Sequence, residues 1–118
     1  MSYYKVVSQD VNGMFFSSAS SGEAKVQYKV GEWTLAPRWL ASNGYHLFVF
    51  DDLRGAEEFQ FWLGGLIYEV LVGGVYKGLP RFLRLCDLAK GCLKSWKWGV
   101  FPSGTKMVKR VKLMELVN

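Results

Sequence analysis

Ten of the fifteen lysines and arginines in this 118-residue chain fall from Lys77 onward, against only Asp87 and Glu115. That segment carries +8, whereas the residues through Tyr76 hold five basic and eight acidic side chains and carry −3. Clustered cations release condensed counterions from phosphates, so the chemistry to expect is recognition of an anionic partner such as nucleic acid. The residues that would carry it are Arg81, Arg84, Lys90, Lys94, Lys97, Lys109, Arg110 and Lys112. Trp96 and Trp98, interleaved with Lys94 and Lys97, have the type and spacing to stack on unpaired bases. The plainer alternative is that the basic segments pack beside the acidic stretch at 51–58 and are neutralised within the fold, with the tryptophans in the core.

The carboxylates offer less. Glu69 stands between apolar Ile67 and Leu71 on one face of a strand-like run, so it must be exposed, paired or functional. An exposed face, or an ion pair with a lysine on a neighbouring strand, accounts for it most simply. Asp51 and Asp52 are sufficiently explained as helix caps, and the single histidine, His46, has no orienting partner nearby in the sequence. Cys86 and Cys92 are the only cysteines. With no further thiol or imidazole at metal-ligand spacing they read as reduced thiols rather than as a disulfide or a metal site. No P-loop, dinucleotide glycine fingerprint, nucleophile elbow or zinc spacing occurs. The residues alone therefore point to no catalytic set, no metal and no cofactor.

The elements that must position these groups can be read from periodicity. YYKVV at 3–7 and VQYKV at 26–30 are rich in β-branched and aromatic residues, and in the second Val26, Tyr28 and Val30 alternate with Gln27 and Lys29. Gly13 precedes a short strand in Met14-Phe15-Phe16, and a polar loop follows. Residues 32–46 predict an ordered loop pinned by Trp33 and Trp39, with Pro37 and a turn at Asn43-Gly44. YHLFVF at 45–50 predicts a central strand.

Asp51-Asp52 caps a helix over about 52–63, in which Leu53, Ala56, Phe59 and Leu63 recur on one face before Gly64-Gly65 ends it. LIYEVLV at 66–72 alternates as a strand with Tyr68, Val70 and Val72 on one side, and Gly73-Gly74 breaks it. Apolar residues at 82, 83, 85, 86, 88, 89, 92 and 93 are compatible with a second helix over about 81–93, although Gly91 weakens it. A strand at 96–101, a turn at Pro102-Ser103-Gly104 and a closing strand at 107–117 complete the chain. The fold class expected is α+β, one domain over 1–118, with a mixed or antiparallel sheet of about five to six strands.

Composition bounds the rest. Half the residues are hydrophobic and 16 % are aromatic, enough apolar area to order the chain. No apolar run approaches the ~18 residues that cross a bilayer, and the start, MSYYKVVSQD, lacks the features of a secretory signal. A cytoplasmic protein without a membrane partner is expected, in the host cytoplasm if the source is viral.

The runs VQYKVGEW, LFVFDDLRGAEEF, IYEVLVGGV and GTKMVKRVKLMELV together resemble a pattern found in small uncharacterised proteins of phages, viruses and microbes. The resemblance covers most of the chain and implies one fold unit of mobile-element origin. The order of strands around the LxxAxxF helix is also similar to the core of ADP-ribosyltransferases, which hold a nicotinamide dinucleotide. In that resemblance Tyr28 and Glu69 stand for the tyrosine and the catalytic glutamate, and Lys5 stands where that family has arginine or histidine. The leading expectation is a non-enzymatic accessory module whose basic C-terminal third contacts nucleic acid or a host protein. The rivals are an ADP-ribosyltransferase-like enzyme or nucleotide-binding domain built on Glu69, and a homodimer that extends a sheet across subunits.

Overall fold

In the computed structural model the described residues are 2–17, 26–42, 46–77, 85–87, 91–93 and 104–117. Among these residues nine strands and two helices follow one another: β1 (Tyr3–Gln9), β2 (Phe15–Ser17), β3 (Gln27–Tyr28), β4 (Trp33–Leu35), α1 (Arg38–Ser42), β5 (Leu47–Phe50), α2 (Leu53–Leu63), β6 (Leu66–Val75), β7 (Leu85–Asp87), β8 (Gly91–Leu93) and β9 (Thr105–Leu116). Seven of the strands form one sheet in which every pairing is antiparallel. The α+β class holds, with more strands than the sequence suggests.

The sheet closes on itself. β1 pairs with β6, β6 with β9, β9 with β5, and β5 returns to β1 through Tyr4 and Phe50. β2 and β3 extend β1, and β4 lies along β9. Successive side chains on a strand point to opposite faces, so β1, β5 and β6 each serve two cores. Val7, Tyr28, Leu47, Val49, Tyr68, Val70, Val108, Val111 and Leu113 fill the inside of this small barrel. Their neighbours Val6, Phe50 and Ile67 point outward, where Ala56 of α2 covers them.

Helix α2 is placed by its ends. The Asp52 carboxylate accepts a hydrogen bond from the Arg54 amide at 2.9 Å, satisfying one of the orphan donors of the first turn. At the other end Gly64 takes φ +75° and donates to the Gln60 carbonyl. Gly65 follows at φ +102°, so close to β1 that a Cβ would lie 2.5 Å from the Val7 carbonyl oxygen. The paired glycines thus stop the helix and let the chain enter β6 against β1.

Several expectations need correction. The helix foreseen at 81–93 is replaced, where residues are described, by an antiparallel pair with Cys86 opposite Cys92 and Leu85 opposite Leu93. A short apolar run satisfies helical and extended spacing alike, and Gly91 disfavours the helix. The supposed loop at 32–46 contains β4 and one turn of helix, because Trp33 and Thr34 are strand formers and the Pro37 carbonyl receives the first helical bond from Ala41. The strand at 26–30 shrinks to two residues as the chain turns at Gly31, φ +82°. β6 runs through Gly73-Gly74 to Val75 instead of breaking there. The strand foreseen at 96–101, with Trp96 and Trp98, lies outside the described residues.

Candidate nucleic-acid interface

β4, β6 and β9 converge on a patch of the barrel's outer surface. β9 is central: Trp33, Thr34 and Leu35 of β4 pair with Lys112, Val111 and Arg110, while Gly73 of β6 pairs with Arg110. Val108 and Val111 are both fully buried, and Lys109 and Arg110 between them are both exposed. Strict alternation would turn one of those two cations inward, so the inside–outside phase slips by one residue at this point. Gly74, at φ +67°, lies opposite on β6, whose register with β9 runs unbroken from Val72 to Val75 and shifts between Glu69 and Val70. Two consecutive cations thereby reach the same surface.

Trp33 completes the arrangement. The guanidinium of Arg110 lies 4.5 Å from the centroid of its ring and the Lys112 ammonium 5.5 Å, both within cation–π range. Arg110 reaches that position by crossing Gly73, where any Cβ would collide with its Nε and Cγ atoms. Gly74 lies equally close to Lys109, whose Cβ would be 2.8 Å from an added methyl. Trp33, Leu35, Gly73, Gly74, Lys109 and Arg110 line a cleft of about 380 Å³. Its walls are aromatic, apolar and cationic, and the side chain of Arg110 lies over Gly73. Trp33 is 40 % exposed and Leu35 54 %, so apolar surface remains in contact with water beside the cations.

Of the eight expected binding residues, Lys109, Arg110 and Lys112 are brought together here. Arg81, Arg84, Lys90, Lys94 and Lys97 lie outside the described residues. Lys106, on the same strand, is engaged within the fold by Asp51 at 3.8 Å. The sequence reading missed Trp33, Leu35 and the two glycines as site residues. The available signal was a glycine pair inside a strand, which marks close approach of another chain segment as well as a break.

The groups of the enzymatic alternative are not assembled. Tyr28 is sealed inside the barrel, 1 % exposed, whereas Glu69 faces solvent opposite Glu115. Lys5 is buried with Tyr28: its ammonium lies 5.3 Å from the ring centroid and donates to the Phe48 carbonyl at 2.7 Å. Desolvation lowers the Lys5 pKa to about 7 and raises that of Tyr28, whose buried hydroxyl has no hydrogen-bond partner among the described residues. Asp52 caps α2 as expected, and His46 stacks on Tyr76 at 4.4 Å. Among the described residues no group of histidine, cysteine or carboxylate side chains could hold a metal, and no helix is long and apolar enough to cross a membrane. No family model, curated protein or solved structure matches the chain.

Proposed function

We propose that this protein is a non-catalytic module that binds the phosphate backbone of nucleic acid through the outer face of β4, β6 and β9. The observation that carries the reading is the phase slip on β9, which presents Lys109 and Arg110 together, beside Lys112 and around an exposed tryptophan. A strand with ordinary alternation would divide these charges between its two faces. Here they are concentrated at one cleft, with Arg110 lying across Gly73 and Lys109 beside Gly74.

The test is a fluorescence-polarisation titration with labelled single- and double-stranded DNA and RNA at two salt concentrations. Binding should weaken steeply as salt rises. Charge reversal of Lys109, Arg110 and Lys112 should lower affinity and reduce the salt slope by about one for each phosphate that is no longer neutralised. Unchanged affinity and slope in the folded triple variant would overturn the assignment.

A further inference from the structure

The Trp33 cleft has features that phosphate binding alone does not require. A duplex presents its phosphates outward and keeps the faces of its bases stacked, so an exposed indole and an adjoining leucine gain nothing from it. A single strand offers both groups at once: charge along its backbone and flat apolar faces on its unpaired bases. Resting on the phosphate-binding assignment above, we infer that the ligand is single-stranded nucleic acid and that one unpaired base stacks on Trp33.

The geometry supports this in three respects. Arg110 and Lys112 lie against the Trp33 ring from β9, yet 40 % of the residue remains exposed, leaving ring surface for a second planar group. The cleft, at about 380 Å³, is at the lower end of the ~300–1,000 Å³ typical of ligand sites, which suits a base better than an extended surface. Gly73 and Gly74 line the cleft without side chains of their own, and Leu35 adds an apolar wall. Lys109 then stands where a flanking phosphate would pass. Stacking does not depend on which base is present, because every base has a π-face, so broad sequence tolerance is expected.

The experiment compares a labelled short oligothymidylate, a duplex of equal length and inorganic polyphosphate at one salt concentration, using the full chain and its Trp33→Ala and Trp33→Phe variants. The oligothymidylate should bind more tightly than the duplex. Trp33→Ala should weaken oligothymidylate binding by roughly tenfold or more, and Trp33→Phe should restore most of the loss. Polyphosphate affinity should change little in either variant, showing that the cations remain in place. Equal binding of all three polymers, or equal losses on all three, would overturn the stacking inference while leaving phosphate recognition intact. No binding to any of them would remove both.

Discussion

Among the described residues, cations meet an aromatic ring at two places, Tyr28 inside the barrel and Trp33 on its outer surface. Lys5 lies 5.3 Å from the Tyr28 ring, and Arg110 lies 4.5 Å from that of Trp33. The chemistry of attraction is shared, but access to water separates the two. Lys5 and Tyr28 are 7 % and 1 % exposed, and the ammonium has exchanged its hydration for the Phe48 carbonyl. Such an amine gives up its proton readily and has no open approach for a ligand. Arg110 and Trp33 keep solvent contact, so their charge and ring face remain available to a partner. A cation beside an aromatic residue is therefore uninformative about function until burial is known.

The largest expected contrast is in pH dependence. The Lys5 pKa falls from its ordinary value of 10.5 to about 7 in the folded protein. Between these values the unfolded chain holds a proton that the folded chain has released, so stability rises with pH from about 7 to 10.5. Below that window the burial penalty is felt in full. The slope should approach about 1.4 kcal/mol per pH unit, summing to several kcal/mol. Denaturant titrations across the window should show this rise in the native protein and lose it in Lys5→Met. An unchanged slope in that variant would show that Lys5 is not the titrating group. Arg110→Met should leave the slope as it is.

Truncating the rings should separate the regions next. Tyr28→Ala empties a fully buried position and should cost about 3–5 kcal/mol, as large aromatic truncations in cores do. Trp33→Ala removes a ring from the surface and should cost no more than about 1 kcal/mol. Comparable losses in denaturant midpoint would place Trp33 in a structural role and weaken its assignment to the binding face.

These two regions were unequally legible in the sequence. Helix α2 was readable because its signals are local: Asp52 at the start, Leu53, Ala56 and Phe59 at helical spacing, and Gly64-Gly65 at the end. The alternation of Tyr68 and Val70 with Glu69 and Leu71 was equally plain. The basic character of Lys109, Arg110 and Lys112 was visible as composition, but their partner was not. Trp33 meets Lys112 across most of the chain's length, and pairing at that range depends on barrel closure rather than on neighbouring residues. The same closure buries Lys5: Tyr3, Lys5 and Val7 were identifiable as one face of a strand, but nothing local says which face turns inward. Gly73-Gly74 read as a break because a glycine pair lowers strand propensity, whereas the ladder with β9 carries β6 through it.

That glycine pair provides the smallest and most selective test, because its two members do different work. Gly74 has φ +67°, a conformation costly for an L-residue, so Gly74→Ala should destabilise the protein by about 1–2 kcal/mol. Gly73 has no such restriction, and replacing a strand glycine with alanine ordinarily recovers about 0.5–1 kcal/mol of backbone entropy. What a Cβ at Gly73 meets is the flexible side chain of Arg110, which can move aside. Gly73→Ala should therefore stay within about 0.5 kcal/mol of the native stability. Moving Arg110 away from Trp33 should nevertheless weaken oligonucleotide binding several-fold, an effect readable by the same polarisation titration. A variant of native stability that binds as well as the native protein would show that the seating of Arg110 over Gly73 is irrelevant to recognition. Weakened binding at native stability would separate the interface from the core at the level of a single methyl group.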